Sequence, residues 1–278
     1  MNNIKLFPYK ISSDSAKSIA DFLGIKRLLT NGRYKYKKDD IIINWGNSVK
    51  PNFLLGVDNY IIINDFEAVE NCINKLNCLT ILKENNIPII SFMTSKEEAE
   101  TTINKGEIIY CRTLLNSKSG KGIVIADTIE KIVDSKLYTS YFKNTNEYRV
   151  HVFNGEIIDL QEKRKMSEEK LLFHNISKEK RNRKIRNHDS GWCFCRNNIV
   201  FPEIISTLAI EAIKALGLTF GACDILYNEK TGKVAILEIN TAPGLEAGLE
   251  THKNYCIAFS KYLDLPFSEE NYNEFYKK

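Results

Sequence analysis

Two apolar stretches toward the C-terminal end, Phe220-Gly221-Ala222-Cys223-Asp224-Ile225-Leu226-Tyr227 and Val234-Ala235-Ile236-Leu237-Glu238-Ile239-Asn240, flank the polar run Asn228-Glu229-Lys230-Thr231-Gly232-Lys233. Read as two strands joined by a turn, they place Asp224, Glu238 and Asn240 beside one another. Strand side chains alternate faces, so Glu238 and Asn240 point the same way, with Cα atoms about 7 Å apart. Two carboxylates and an amide form an oxygen-only set suited to Mg²⁺, which keeps positions for water and phosphate oxygens. An acidic residue ending a strand is commonplace, so the metal reading depends on the rest of the chain.

The 278 residues suffice for one large multi-lobed domain or two to three small ones. No run approaches the roughly 20 apolar residues of a membrane span, and no apolar signal core follows Lys5, so a cytoplasmic protein is expected. Seven cysteines are an odd number, and the only close pair, Cys193-Phe194-Cys195, lacks the spacing of a zinc site. Reduced, mostly buried thiols are expected. A net charge of +4 permits an anionic ligand without arguing for nucleic acid.

Short strands and helices alternate through the first block, with strands at 4–8, 26–29, 41–45 and 60–63 and a helix at 12–23 capped by Ser12 or Ser13. Asn64-Asp65 caps one long helix over 66–85, whose Val69, Ile73, Leu76, Leu79 and Leu82 keep helical spacing. A strand at 89–93 and a helix at 96–104 follow. Strands at 108–113 and 122–126 flank a polar Gly/Ser/Lys loop. Further strands fall at 136–142, 147–153 and 156–161, the last two joined by the hairpin signal Asn154-Gly155. From 162 to 186 the chain is charged and reads as a mobile basic loop. Helices at 202–216 and 249–263 bracket the metal hairpin. The mixture fits a segregated α+β class better than a doubly wound sheet.

The loop Asn116-Ser117-Lys118-Ser119-Gly120-Lys121-Gly122 lets backbone N–H groups approach an anion and adds two lysines. It has neither Walker A spacing nor the Rossmann glycine pattern, and a flexible hairpin would look the same. The strand before it ends in Arg112. Glu147, Arg149 and His151 share one strand face opposite Tyr148, Val150 and Val152. Charges of both signs there suit either solvent or a cleft wall. The next strand ends in Gln161-Glu162-Lys163-Arg164-Lys165, and one of its cations could reach the same cleft. His188 beside Asp189 invites a general-base reading, but neighbours on a turn usually face different ways. No serine or cysteine has a convincing triad partner. Trp45-Gly46-Asn47-Ser48 reads as a buried Trp with a turn, or as a substrate edge.

In this order and spacing the pieces resemble the carboxylate–amine ligase branch of the ATP-grasp superfamily, which includes D-alanine–D-alanine ligases, glutathione synthetases and ligases adding glutamate to protein tails. The resemblance spans about 66–263. It implies two α+β subdomains gripping ATP (66–140 with the Gly-rich loop, 141–278 with the metal site), preceded by a small α/β domain over 1–65. It implies phosphate contacts from Lys75, thirteen residues before Pro88, and from Arg112, where the family carries lysine. Arginine keeps the charge but binds phosphate in a bidentate geometry. The Gly-rich loop, including Ser119, Gly120, Lys121 and Gly122, would close over the phosphates. Ser140, Tyr141 and Phe142 would form the adenine hinge, chiefly through backbone atoms. Glu147 would hold the ribose, Arg149 matches the arginine of the protein-tail ligases, Lys163 lies near the transferred phosphate, and Asn187 is a weaker match in the acceptor region. Asp224, Glu238 and Asn240 would bind Mg²⁺ or Mn²⁺. Lys163, Arg149 and Arg112 would thus be the catalytic cations.

The implied reaction activates a carboxylate as an acylphosphate at the expense of ATP, and an amine then displaces phosphate to form an amide. The substrates would be small-molecule or peptide carboxylates and amines, with no membrane partner. Two other readings stay open: a kinase-like phosphotransferase on a small molecule, and a non-enzymatic protein binding nucleic acid through 162–186. That segment holds ten Lys/Arg against four Glu, but among aromatics only Phe173, so it lacks the interleaved rings that stack on bases. The substrates' identity and the oligomeric state are not legible.

Overall fold

In the computed structural model, residues 3–30, 32–116, 120–182, 184–245 and 249–277 are described. The first block forms a parallel sheet of β1 (Ile4–Pro8), β2 (Lys26–Arg27), β3 (Ile41–Trp45) and β4 (Ile61–Ile63), in the order β2-β1-β3-β4. Parallel neighbours need crossovers, and α1 (Asp14–Phe22) supplies the first, started by Ser13 accepting from the Ala16 N–H. Its buried Ala16, Ile19 and Ala20 lie at helical spacing and face the sheet core.

The expected single helix over 66–85 is two helices, α2 (Phe66–Ile73) and α3 (Lys75–Glu84). Asn74 ends the first and caps the second, its side chain accepting from the N–H groups of Leu76 and Asn77. The apolar spacing runs on through the break, so periodicity alone conceals it. Beyond α3, β5 (Phe92–Met93), α4 (Lys96–Asn104), β6 (Ile109–Arg112), β7 (Ile123–Ala126) and β8 (Leu137–Ser140) build an antiparallel sheet in the order β5-β8-β6-β7. The strand expected over 89–93 shrinks to two residues. Its first part instead bridges to the hairpin, Ile236 N–H donating to Pro88 O at 2.8 Å and Ile90 N–H to Ile236 O at 3.2 Å.

The third sheet is five-stranded and antiparallel: β9 (Asn146–Phe153), β10 (Glu156–Lys165), β11 (Trp192–Cys195), β12 (Phe220–Asn228) and β13 (Lys233–Asn240), in the order β11-β10-β9-β12-β13. Asn154 and Gly155, at φ 48° and 77°, make the tight turn between β9 and β10, a conformation Asn and Gly tolerate best. The 162–186 segment, expected to contain a loop, begins as regular structure. Its first residues extend β10, whose Lys163 pairs with Phe194 on β11, and α5 (Glu168–Phe173) follows. Between β11 and β12, α6 (Ile204–Ala215) buries Ile205, Leu208, Ala209, Ala212 and Ile213 against β9 and β12. Each fully buried branched side chain there contributes roughly 1.5–3 kcal/mol.

Two closing helices, α7 (Leu249–Leu263) and α8 (Glu269–Phe275), complete the chain. Tyr255 and Phe259 of α7 join Trp45, Phe153 and Phe220 in one aromatic cluster, Trp45 stacking on Phe220 at 5.3 Å. Asn64, in a left-handed conformation (φ 62°), accepts from the Thr219 and Phe220 N–H groups at 2.7 and 3.1 Å and donates to Phe220 O at 2.9 Å. The parallel sheet therefore shares its core with β9, β12 and α7. Among the described residues, no helix is long and apolar enough to cross a membrane. The seven cysteines are free and five are buried, as expected.

Candidate active site

A β-bulge aims the hairpin's polar groups. Asp224 pairs with Glu238, yet Ile225 pairs with Ile236, so Leu237 is an extra residue on β13. Ile236 and Ile239, three residues apart, can then both enter the core under α6. Glu238 and Asn240 are left on the other face, where the sequence placed them. Register continues that face across the sheet: Asp224 opposes Arg149, Arg149 opposes Gln161, and Ala222 opposes both Asn240 and His151. Tyr148, Val150 and Val152 point to the core instead.

The polar face is buried and densely paired. Arg149 donates to both oxygens of Asp224, Nε to Oδ1 at 2.7 Å and Nη2 to Oδ2 at 2.8 Å. Burial opposes ionisation of Asp224, but the guanidinium prevails and holds its carboxyl below the usual carboxylate range. Burial also works against the charge of Arg149, and Asp224 more than restores it. Glu147, 3% exposed, is ion-paired with Lys163, with Arg186 Nη1 3.9 Å away. Desolvation pushes the Glu147 carboxyl up, while Lys163 pulls it down. The ring of Phe194 lies under both cations, 4.2 Å from the Arg149 guanidinium and 4.9 Å from the Lys163 ammonium.

Opposite stand the residues of the antiparallel sheet and α3. A cavity of about 220 Å³ is lined by Lys75, Arg112 and Asn116 on one side and by Glu238, Asn240 and Thr241 on the other. Arg112 is buried at the end of β6, its Nε donating to Thr139 Oγ1 at 3.2 Å. Lys75, on the first turn of α3, donates to Leu115 O at 3.2 Å. Burial lowers the pKa of both cations, with Glu238 opposing that in each case. Tyr9 and Gly46 close the cavity from the parallel sheet. A Cβ on Gly46 would lie 2.6 Å from Ala242 Cβ, so only glycine lets these loops meet. Trp45 is fully buried, as the packing reading expected.

Of the Gly-rich loop, Ser119 lies outside the described residues together with Ser117 and Lys118. Gly120, Lys121 and Gly122 form its return to β7, where Thr113 N–H donates to Gly122 O at 2.9 Å. Gly122 has φ 72°, and a Cβ there would lie 2.9 Å from Leu114 Cγ. In the expected hinge, the N–H groups of Ser140 and Tyr141 already donate to Ser91 O and Ile108 O, at 2.9 and 2.8 Å. Hinge contacts to a ligand must therefore come from other backbone atoms, including those of the half-buried Phe142. Arg164 points away from Glu147, pairing with Glu162 and the carbonyls of Asn197 and Asn198. His188 is exposed, its ring against that of His174. Asn187 caps its own turn by accepting from Ser190 N–H.

Phe194 and Arg186 escaped the sequence reading. Phe194 was noticeable only as the spacer between two cysteines, and Arg186 only as part of a basic run. Nothing local signals that either approaches Glu147 or Arg149.

The donor set fits a hard divalent cation. Asp224 and Glu238 are cross-strand partners on adjacent strands. Two carboxylates so close gain from a shared cation. Among the described residues Asn240 Nδ2 is buried without a hydrogen-bond partner, and turning the amide over would present its oxygen there instead.

No family model matches the chain. It is 28% identical over 203 residues to a probable alpha-L-glutamate ligase 1 of Shewanella sp. (strain W3-18-1), covering 68% of this chain and 62% of that protein. The chain thus spans less than two thirds of the length of this relative. Among solved structures it is similar to D-alanyl-alanine synthetase A from Vibrio cholerae, with a TM-score of 0.66, 15% identity, and coverage of 100% of this chain and 99% of that one. It is similar also to the ATP-grasp ligase PsnB complexed with a phosphomimetic variant of its minimal precursor, Mg and ADP, with a TM-score of 0.62, 11% identity, and coverage of 99% and 98%.

Proposed function

Because the chain resembles a probable glutamate ligase in sequence and shares its fold with ATP-grasp and D-alanine ligases, we propose that it is an ATP-grasp enzyme that joins a carboxylate to an amine at the expense of ATP. The observation that carries this reading is that one cavity is lined both by Lys75 and Arg112 and by Glu238 and Asn240, cations suited to phosphate beside oxygen donors suited to a metal. Carboxylate oxygen is a poor leaving group at neutral pH, and phosphorylation to an acylphosphate makes it a good one. The amine then attacks, and ADP, phosphate and the amide are the products. No protein nucleophile is required, which agrees with a site built of cations and carboxylates.

In this reading Asp224, Glu238 and Asn240 hold the Mg²⁺, which neutralises charge on the phosphate oxygens when bound. Lys75, Arg112 and the Gly-rich loop hold the phosphates, and Phe142 with its neighbours borders the adenine. Glu147 receives the ribose hydroxyls, which exchange for its contacts with Lys163 and Arg186. Lys163 and Arg149 then face the transferring group. Residues 1–65 lend Tyr9 and Gly46 to the substrate end of the cavity. The relative's name makes L-glutamate the first amine to try, with amino acids and peptide termini as carboxylates.

The test is phosphate release measured against a matrix of carboxylates and amines, with products weighed by mass spectrometry. Release that needs both substrates, with a product lighter than their sum by one water, is expected. A stable phosphate ester formed without any amine and resistant to hydroxylamine, which an acylphosphate is not, would replace this reading with a phosphotransferase.

A further inference from the structure

Asp224, the first of the three oxygen ligands, is already held by a cation. A single guanidinium covers both of its carboxylate oxygens, at 2.7 and 2.8 Å, from the register-paired residue of the adjacent strand. Glu238 lies on the other side of Asp224, one strand further on. Asp224 is 1% exposed, and a carboxylate so buried is costly unless a positive group accompanies it. A dication bound to Asp224 and Glu238 would supply that charge itself. It would then stand a few ångströms from the guanidinium, where the two repel.

We propose that Arg149 is the resident counter-ion of the metal site: it neutralises Asp224 whenever the metal is off, and a divalent cation binds by displacing it. This rests on the reading of Asp224, Glu238 and Asn240 as metal ligands. The displaced guanidinium has somewhere to rest. It already lies on the Phe194 ring, shared with Lys163, and can turn on that face without losing its cation–π contact. Metal entry thereby converts a closed ion pair into a free, fork-shaped donor beside Lys163, where phosphate and carboxylate oxygens are to be gripped. Binding the cation and arming the arginine become one event. Arg149 also sets the threshold for that event, since any gain from the metal is reduced by what its departure costs.

The experiment is a titration of the full chain with Mn²⁺ alone, following the electron paramagnetic resonance of the free ion. Arg149→Met is expected to bind Mn²⁺ at least ten-fold more tightly than the unsubstituted protein. Arg149→Lys, which keeps the charge but loses the fork, should fall between them. Affinity that is unchanged or weaker in both variants overturns the proposal. If circular dichroism shows that Arg149→Met does not fold, Arg149→Lys and the unsubstituted protein decide. In ¹⁵N-labelled protein the Arg149 Nε–H, identified by its loss in Arg149→Lys, should exchange slowly without metal and lose that protection as Mg²⁺ is added. Protection that survives saturating Mg²⁺ also overturns the proposal. Protein that takes up no Mn²⁺ even with a non-hydrolysable ATP analogue sinks the metal assignment, and this inference with it. Uptake by the unsubstituted protein with indifferent Arg149 variants sinks this inference alone.

Discussion

On the side of the cavity that carries Arg112, the guanidinium rests on a neutral oxygen, the hydroxyl of Thr139. On the opposite sheet, Arg149 and Lys163 are each closed on a carboxylate, Asp224 and Glu147. Among the described residues Arg112 makes no ion pair. A buried cation on a neutral partner keeps most of its charge for an incoming anion. A cation in a buried pair must first exchange its partner, at a cost of several kcal/mol if nothing replaces it. If these cations meet phosphate as proposed, Arg112 does so without giving up an ionic partner, whereas Arg149 and Lys163 must first exchange theirs.

That contrast can be broken experimentally. The largest effect is expected from Glu238→Gln, which keeps shape but removes a charge that nothing nearby replaces. Amide synthesis should fall at least about 10³-fold with the melting temperature little changed, if Glu238 holds the metal as proposed. A fully active variant would remove the metal from this wall. Lys163→Ala should cost about 10²-fold in kcat if the ammonium stabilises phosphoryl charge. It also strips Glu147 of its close partner, so a thermal melt must separate lost chemistry from lost stability. Near-normal kcat would hand the role to Arg149 or Arg186. The smallest effect is expected from Arg112→Lys. If the phosphate wall works through charge alone, kcat should stay within about ten-fold and the KM for ATP should rise only modestly. A loss comparable with that of Lys163→Ala would show that the bidentate fork matters, and that this wall too depends on specific pairing.

The hairpin with Asp224, Glu238 and Asn240 was legible because alternation and a short turn are local properties, and the Asn154-Gly155 turn for the same reason. The bulge at Leu237 was not, although it is what keeps Glu238 and Asn240 on the polar face while Ile236 and Ile239 both reach the core. Asn74 was hidden by an apolar rhythm that continues through it. The pairings were the least legible feature of the site. Arg149 and Asp224 stand 75 residues apart, and their partnership follows only from which strands become neighbours. The sequence presented charges of both signs on one strand face and left solvent or cleft undecided. The structure excludes solvent from most of that face, burying Glu147 and His151. The basic run 162–186 misled because composition describes surface chemistry, while β10 extends by pairing with β11, a strand with no local signal.

Asn64 and the ring cluster around Trp45 bear on how such a chain could be recombined. An exchange of residues 1–65 with a homologue would cut at a loop and look conservative on paper. Yet the incoming segment would have to match Phe220, Tyr255 and Phe259, and to supply an amide at the place where Asn64 satisfies Thr219 and Phe220. The block that lends Tyr9 and Gly46 to the cavity is therefore not an interchangeable cassette. A graft meant to bring in a new substrate preference would have to carry three distant aromatic positions along with it.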